Sequence, residues 1–321
     1  MRIVQTIKNS QKPRFSIEIT PPLKTKSISK IFATIDKIVD FNPIFVAVTY
    51  HQQALQSGEK DLHLFQRHAS SVGVAAAIKF KYGFEVLPHF ICGGFDKFET
   101  DDAIFDLWFL GIDNILALRG DARKGETKFT PKPGGNKNAA ELVSQIVKMG
   151  KLDFTHTLKP KEPMRFCIGV AGYPEVHTEA KSMEQDIKWL KHKVDCGAEF
   201  IITQMFFDFE TFKNWEARCR GAGINVPIIP GLKPVTQKKH IRRLSQNFGV
   251  RFPEDFVKKM ESCKTSKEAY ECGIDQCVGL SKKLIEYGCP IVHYFSMGSG
   301  ADIADVAKNV FTPEDFYKKT K

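Results

Sequence analysis

The sequence has no long apolar run and no paired cysteine motif. None of its hydrophobic stretches approaches the roughly 18 residues that a membrane-spanning helix needs. Its start, MRIVQTIK, has neither the apolar core nor the small-residue cleavage site of a secretory signal. No two of the eight cysteines form a C-x-x-C pair, which argues against a disulfide scaffold and a zinc site. We therefore expect a cytoplasmic protein with reduced, buried thiols, no bound metal and no membrane partner.

Two nucleotide-binding signatures are also missing. Neither the glycine fingerprint of dinucleotide-binding sheets, G-x-G-x-x-G after a first strand, nor the Walker phosphate loop occurs. The net charge of +10 is spread over lysines in helix-like segments, without a basic stripe interleaved with aromatics. Nucleic acid is therefore not expected as a partner. A solvated surface explains the charge, and attraction of a polyanionic substrate is the functional alternative.

What the sequence does contain is an alternation of strand-like and helix-like segments. Hydrophobic residues make up 42% and charged residues 26% of the 321 residues, which is ordinary for a globular enzyme. Eight β-rich apolar runs are predicted to be strands, at residues 14–20, 44–50, 84–92, 114–118, 166–171, 200–205, 226–229 and 291–295. Amphipathic segments between them, such as 29–41, 139–149 and 179–196, are predicted to be helices.

This alternation predicts an α/β fold. Strands that alternate with helices form a parallel sheet with right-handed crossovers, and eight such units favour a closed (β/α)8 TIM barrel over an open doubly wound sheet. The long interval before the last strand is predicted to hold extra helices, one starting near residues 253–255 and one over 266–287. No linker, repeat or low-complexity tract divides the chain, so we predict a single catalytic domain over residues 1–321.

The first predicted strand carries a carboxylate near its end, where barrels of this kind place their chemistry. Alternation directs the three apolar side chains of FSIEIT (residues 15–20) towards the outer helices and Glu18 into the barrel. Desolvation there would raise the pKa of Glu18 towards the range of a general acid. A buried glutamate in a structural salt bridge is the alternative interpretation.

Polar groups follow several other predicted strands. Arg119, Gly120 and Asp121 open a loop whose glycine lets the backbone approach a ligand and whose aspartate accepts hydrogen bonds. An ordinary turn with an aspartate cap is the alternative. Lys193 and Asp186 lie seven residues apart on one face of a predicted helix, where they could hold a nucleotide or pair with neighbouring side chains.

An amide and three histidines complete the candidates. Gln204 interrupts an apolar strand, and its amide suits either recognition of a fused heterocycle or a structural hydrogen bond across the barrel. His89, His177 and His293 stand at strand ends without metal-ligand spacing. A structural, hydrogen-bonded histidine is the ordinary outcome for each of them taken alone.

Taken in order, these motifs resemble the methylenetetrahydrofolate reductase family. The resemblance extends over residues 14–298. It is carried by FSIEITPP at 15–22, VTY at 48–50, GIDNILALRGD at 111–121, IGVAGYPEVH at 168–177, KVDCGA at 193–198, ITQ at 202–204 and IIPG at 228–231. The resemblance implies a TIM barrel of the short bacterial type, without room for the adenosylmethionine-binding domain of longer relatives. We also expect it to form a homo-oligomer.

The resemblance further implies a reaction and a site. The family reduces 5,10-methylenetetrahydrofolate to 5-methyltetrahydrofolate for methionine synthesis, with hydride passing from NADH or NADPH through FAD in a ping-pong sequence. Glu18 is implied to protonate N10 of the folate, and Asp121 to tune the flavin and orient the pterin. Positions for the substrate are Gln204 and His240. Positions that match FAD contacts are Thr49, Tyr50, His89, Arg119, Gly120, Asp121, Ala139, Tyr173, His177, Asp186 and Lys193.

Three segments depart from the family pattern. One of them is a predicted helix in which His240 and Leu244 stand where relatives often place Gln and an apolar side chain. His51-Gln52-Gln53 stands where relatives carry small residues, and HYFSMGS at 293–299 stands where relatives show His-Phe-Tyr-Thr followed by Asn-Arg. Three alternatives to the flavin-dependent reductase stay open: a flavin-independent reductase, a pterin-dependent methyltransferase barrel, and a non-catalytic subunit that binds flavin or folate. Failure to bind FAD would favour the first two.

Overall fold

The computed structural model describes residues 1–52, 54–57, 62–65, 67–123, 126–155, 157, 160–296 and 300–311. Within these ranges the strands are β1 Arg14–Ile19, β2 Val46–Val48, β3 Ala54–Ser57, β4 Leu62–Phe65, β5 Val86–Ile91, β6 Asn114–Leu118, β7 Cys167–Gly172, β8 Phe200–Met205, β9 Ile228–Leu232 and β10 Ile291–Phe295. The α-helices are α1 Ile3–Asn9, α2 Ser29–Ile35, α3 Ser71–Tyr82, α4 Lys97–Phe109, α5 Ala139–Met149, α6 Met183–Asp195, α7 Phe209–Gly221, α8 Lys238–Phe248, α9 Glu254–Ser262, α10 Ser266–Glu286 and α11 Ala301–Val310.

Eight of the strands close into a barrel. Their order around it is β1-β10-β9-β8-β7-β6-β5-β2, and each neighbouring pair runs parallel. Strands β3 and β4 form a separate antiparallel pair in the connection between β2 and α3. The predicted (β/α)8 TIM barrel is therefore confirmed, and so are the extra helices before the last strand, α8, α9 and α10.

Several predicted boundaries were wrong, and for the two helices the reason is local. The helix predicted over 29–41 is interrupted: α2 ends at Ile35, and a 3₁₀ turn over Val39–Phe41 stops at Asn42, whose φ of 45° is left-handed. The helix predicted over 179–196 begins only at Met183, because the Ser182 hydroxyl accepts a hydrogen bond from the backbone N–H of Gln185 and caps the helix there. The strand predicted over 44–50 is only three residues long, and that predicted over 226–229 lies at Ile228–Leu232.

The hydrophobic core has an outer and an inner layer. The outer layer fills the space between the strands and the surrounding helices, and it takes Phe15, Ile17 and Ile19 from β1. The inner layer fills the barrel itself with apolar side chains from the strands. Helix α1, which the sequence did not lead us to predict, joins this inner layer through Ile3, Val4 and Ile7. It covers the amino-terminal end of the barrel and leaves the carboxyl-terminal end open.

The eight cysteines form no disulfide bonds, and six of them are buried. Burial raises the pKa of Cys167 to about 11 and that of Cys277 to about 12, so both are protonated thiols at neutral pH. No helix in the described ranges is long and apolar enough to cross a membrane, and no metal-binding group of side chains was found in those ranges.

Candidate active site

Glu18 lies near the carboxyl-terminal end of β1, between two histidines from other strands. Its Oε2 is 3.2 Å from Nε2 of His89 on β5 and 3.9 Å from Nε2 of His293 on β10. His293 is fully buried, and its Nδ1 is 2.8 Å from the Ser16 hydroxyl oxygen. The predicted alternation in β1 therefore holds, because the polar side chains of this strand face the barrel interior.

The pKa of Glu18 moves in the direction opposite to our expectation. Burial by itself raises this pKa, but the neighbouring imidazoles of His89 and His293 outweigh burial and lower it to about 2. The expectation was wrong because the sequence shows the burial of Glu18 but not the two imidazoles that contact it. Burial also lowers the pKa of His293. In this state of the protein Glu18 is a carboxylate at neutral pH.

A cavity of 570 Å³ opens at the carboxyl-terminal ends of β6 and β7. We call it the β6–β7 cavity. Nine of the positions that match FAD contacts lie in its wall: Tyr50, Arg119, Gly120, Asp121, Ala139, Tyr173, His177, Asp186 and Lys193. Tyr50 and Lys193 thus face one cavity although they lie 143 positions apart in the chain.

Lys193 and Asp186 project into this cavity from α6. The Lys193 ammonium donates to the backbone oxygen of Ala171 at 2.6 Å. Burial lowers the pKa of Lys193 to about 8, although the charge of Asp186 opposes this. Asp186 accepts a hydrogen bond from the backbone N–H of His177 at 3.0 Å. Because an ammonium has three donors, Lys193 can still bind an anion in the cavity.

The loop after β6 is tied to the loop after β7 by an ion pair. The Arg119 guanidinium donates two hydrogen bonds to the Glu179 carboxylate, at 2.6 and 2.8 Å. Gly120 adopts a φ of +88°, and a Cβ there would lie 2.9 Å from Nε2 of Gln52. That amide donates to the backbone oxygen of Asp121 at 2.5 Å. The left-handed backbone conformation therefore favours glycine at position 120, and a side chain there would also displace the Gln52 amide.

The end of β2 forms another part of the wall. Tyr50 lines the cavity, and burial raises its pKa to about 12, so its hydroxyl is protonated at neutral pH. Thr49 does not line the cavity; its hydroxyl lies 3.2 Å from Nε2 of His51. His51 in turn stacks on His68, with ring centroids 4.1 Å apart. Residue 53, the last of the three that depart from the family pattern, lies outside the described residues.

Besides Glu18 and Thr49, three predicted residues lie outside the wall of the β6–β7 cavity. His89 contacts Glu18 instead. The Gln204 carbonyl oxygen accepts a hydrogen bond from the backbone N–H of Met205 at 2.9 Å, so the amide turns along its own strand. His240 lies on α8 in the wall of a different cavity. The departure at residues 297–299 falls outside the described residues.

Sequence reasoning missed several residues of the site. Glu179 and Trp189 line the β6–β7 cavity, and His51 and Gln52, noted only as departures, line it too. The helical spacing of Gln185, Trp189 and Lys193 on α6 was a signal that could have placed Trp189 there. No local signal in the sequence connects Glu179 with Arg119, because the two lie 60 positions apart.

Comparison with known proteins agrees with this geometry. The family model described as methylenetetrahydrofolate reductase matches residues 2–310. A Salmonella typhimurium 5,10-methylenetetrahydrofolate reductase is 34% identical over 283 residues, which cover 88% of this chain and 85% of the relative. Methylenetetrahydrofolate reductase 2 of Saccharomyces cerevisiae is 32% identical over 291 residues, 89% of this chain but 45% of the relative. The chain thus spans about half the length of the yeast and plant relatives that it matches.

A solved structure shares the fold. A Clostridium thermocellum protein, described as binding two copies of 5-methyl-5,6,7,8-tetrahydrofolic acid, superposes with a TM-score of 0.61 at 16% identity, over 95% of this chain and 97% of that one. At this identity the likeness concerns the fold alone. The family model spans nearly the whole chain, and the Salmonella relative is covered over most of its length. The chain therefore belongs to the methylenetetrahydrofolate reductase family.

Proposed function

We propose that the protein reduces 5,10-methylenetetrahydrofolate to 5-methyltetrahydrofolate with NADH or NADPH, by way of bound FAD and in a ping-pong sequence that supplies methionine synthesis. The observation that carries the proposal is the Glu18 carboxylate, held between two imidazoles at the open end of the barrel and near the β6–β7 cavity. Membership of the family supports the reaction class. The free thiols agree with a reducing compartment such as the cytoplasm.

The residues of the β6–β7 cavity fit a flavin dinucleotide. The Lys193 ammonium and the Arg119 guanidinium offer donors to its phosphates, while Asp186 offers an acceptor to its ribose hydroxyls. The missing side chain of Gly120 leaves room for a ring close to the backbone. When bound, the flavin supplies hydride transfer between the nicotinamide and the folate, and the chain supplies placement and electrostatics.

We assign to Glu18 the proton that opens the folate ring at N10. Glu18 is ionised before folate binds, so it must first take up a proton. A pterin ring over Glu18 would remove the remaining 18% exposure of its side chain, and this loss of water raises the pKa of a carboxyl. Before folate covers Glu18, the exposed part of its side chain gives a proton from solvent a route to the carboxylate. In this assignment Asp121 accepts hydrogen bonds from the rings, and Gln204 and His240 contact the folate.

The role of Glu18 can be tested separately from that of the flavin, because the two half-reactions can be measured one at a time. The variant Glu18→Gln should bind FAD and have it reduced by NADH at nearly the wild-type rate. Folate reduction should fall by a factor of about 10² or more, because a general acid contributes about that much. The measurement is anaerobic stopped-flow absorbance at the flavin band, first with NADH and then with methylenetetrahydrofolate. The exposed variant Glu184→Gln serves as the matched control, since Glu184 lies outside the β6–β7 cavity.

Two outcomes would contradict the proposal in different ways. Folate turnover that survives in Glu18→Gln would show that Glu18 is not the acid. If the wild-type protein stays colourless and inert after FAD is supplied, flavin has no role in its reaction. That result would favour a flavin-independent reductase or a pterin-dependent methyltransferase. Sedimentation velocity on the same preparation tests the expected homo-oligomer.

A further inference from the structure

A small cavity of 220 Å³ lies between the carboxyl-terminal ends of β1 and β10 and helix α2. We call it the α2–β10 cavity. It shares no lining residue with the β6–β7 cavity or with the cavity that His240 lines. Buried Ile19 and Ile31 form part of its apolar wall. Its polar lining consists of Thr20, Lys26, Lys30, Thr34 and Ser296. Because the described wall holds two ammonium groups and no carboxylate, it favours an anion.

Ser296, the residue directly after β10, carries a buried donor without a partner. Its side chain is 6% exposed, and its hydroxyl oxygen has no hydrogen bond with any described residue. Its backbone N–H donates to the backbone oxygen of Glu18 at 3.0 Å, which fixes Ser296 at the rim of the barrel. A buried hydroxyl that makes no hydrogen bond costs free energy. A ligand oxygen in the cavity would accept the hydrogen bond that Ser296 can donate.

Lys26 and Lys30 supply the charge of this wall. Lys26 precedes α2 and Lys30 lies in its first turn. Within the part of the chain that the structure describes, neither ammonium forms an ion pair. Each ammonium is a compact charge with three donors on a flexible stem, so both can turn towards one anion. Barrels of this class frequently bind a phosphate group at the loops that follow their last strands. The lining thus fits one phosphate group.

We propose that the α2–β10 cavity binds the 2′-phosphate of NADPH and thereby selects NADPH over NADH. This inference rests on the proposed function for the hydride donor, and it adds the site that distinguishes the two nucleotides. NADPH differs from NADH by a single phosphate monoester on the adenosine ribose. That group is a compact dianion, and two ammonium groups with one hydroxyl around a small cavity give it charge-assisted hydrogen bonds.

The position of the cavity agrees with this occupant. Thr20 lies two residues after Glu18, so about 7 Å of extended chain separates them. The side chain of Ile19 packs in the outer layer of the core, whereas Glu18 faces the barrel interior. The cavity therefore lies on the outer side of β1, away from the proposed pterin position. A dinucleotide is longer than this separation, so NADPH with its nicotinamide at the flavin can extend its adenosine over the rim to this cavity.

The test measures binding of 2′,5′-ADP and of 5′-AMP to the purified holoprotein by isothermal titration calorimetry. The two probes differ by the 2′-phosphate alone, and the wild-type protein should bind 2′,5′-ADP about tenfold or more tightly. Lys26→Met and Lys30→Met should each weaken binding of 2′,5′-ADP about tenfold, the loss expected for one charge-assisted contact. Neither substitution should change the affinity for 5′-AMP.

Two further variants separate the site from the surrounding charge and from stability. Lys24→Met is the matched control, because Lys24 lies in the same loop but does not line the cavity. Its affinity for 2′,5′-ADP should change by less than about twofold. Ser296→Ala should weaken 2′,5′-ADP binding without lowering the temperature of thermal unfolding, since its hydroxyl has no hydrogen bond to lose among the described residues.

Inorganic phosphate, titrated in parallel, distinguishes the source of the phosphate group. Equal affinity for 2′,5′-ADP and 5′-AMP would overturn the nucleotide assignment, and binding of inorganic phosphate that Lys30→Met weakens would then identify a simple anion site. A preference for 2′,5′-ADP that survives in both lysine variants, with wild-type thermal unfolding, would overturn the position of the site. No hydride transfer enters these titrations, so failure of the proposed reductase activity would be seen separately in the flavin half-reactions.

Discussion

At Glu18 two opposing effects act on one carboxyl. Burial favours the neutral acid, whereas the imidazoles of His89 and His293 favour the carboxylate. The imidazoles dominate in this structure because both lie within 4 Å of Oε2, where a desolvated charge interacts strongly. The residue that is proposed to donate a proton is therefore held in its ionised form until a ligand changes its surroundings.

Removing one imidazole should raise the pKa of Glu18. In His293→Gln one of the two groups that stabilise the carboxylate is lost, and burial persists, so the titration midpoint should move up from about 2 towards the ordinary 4.5. The measurement is infrared difference spectroscopy of the carboxylate band during a pH titration, with Glu18→Gln to assign the band. An unchanged midpoint would show that His293 does not stabilise the charge. His192→Gln, a histidine far from the barrel mouth on α6, is the control.

Lys193 should make cofactor affinity depend on pH. Its pKa in the folded protein is about 8, below the ordinary 10.5, so the fraction of charged ammonium falls by up to about tenfold per pH unit above that value. FAD affinity, measured by quenching of flavin fluorescence, should weaken as the pH rises through 8. In the FAD-free protein the pH dependence of stability has the opposite sign to that of FAD affinity. The unfolded chain binds the proton more tightly between pH 8 and 10.5, so the contribution of Lys193 to stability rises with pH across that window.

The control variants for this prediction lie on the same helix. Lys193→Arg keeps its charge above pH 8 and should flatten the pH dependence of FAD affinity. Lys188→Met removes a charge from α6 outside the cavity wall and should leave the dependence as in wild type. A dependence that persists in Lys193→Arg would assign it to another group.

At the scale of elements, α1 closes the bottom of the barrel and contributes to stability rather than to the site. Ile3, Val4 and Ile7 pack into the inner core, and the backbone N–H of Ile3 donates to Oδ1 of Asn114 at 2.8 Å. Asn114 is fully buried at the first position of β6. The helix is therefore docked by both apolar packing and a buried hydrogen bond.

Truncation of α1 packing should lower stability without changing cofactor binding. Ile3→Ala should reduce the free energy of unfolding by about 2–4 kcal/mol, the usual cost of a buried large-to-small change. Gln5→Ala, at an exposed position of the same helix, should change it by less than about 0.5 kcal/mol. Urea unfolding followed by circular dichroism measures both. Equal effects of the two variants would mean that α1 is not docked on the barrel.

Helix α10 packs so closely on the segment after β9 that one of its glycines has no room for a side chain. A Cβ at Gly273 would lie 2.0 Å from the backbone oxygen of Val235. Gly273→Ala should therefore cost about 1–3 kcal/mol of stability and displace the segment that leads into α8. Gly279→Ala in the same helix meets nothing within 4 Å and should stabilise by about 0.5–1 kcal/mol. Thermal unfolding of both variants checks the contrast, and a neutral Gly273→Ala would contradict the packing.

At the scale of the whole molecule, the docked helix α1 and the candidate active site lie at opposite ends of the barrel. The amino-terminal end is filled by α1, and the carboxyl-terminal end carries Glu18 and the β6–β7 cavity. A larger cavity, of 1020 Å³, lies where α8, α10 and α11 begin and shares no lining residue with the β6–β7 cavity. Lysine and arginine are balanced by carboxylates in the described wall of the β6–β7 cavity, and they outnumber carboxylates in the described wall of the larger cavity.

How much of this could be predicted depends on the range of the interaction involved. Periodicity is a local property, so the sequence by itself determined the eight strands, the barrel class, the extra helices before β10 and the inward orientation of Glu18. Helix ends were predicted less well. The start of α6 depends on one capping hydroxyl, that of Ser182, and a periodic pattern does not detect a cap.

The tertiary structure decided which groups meet. His89 and His293 lie 71 and 275 positions after Glu18. Closure of the barrel places β10 directly beside β1 and places β5 beyond β2 on the other side of β1. That closure reversed the expected direction of the Glu18 pKa. It also left Lys233 buried beside His240 in a cavity formed by elements far apart in the chain. Charge and burial at one residue depend on distant neighbours, and these are set only when the sheet closes.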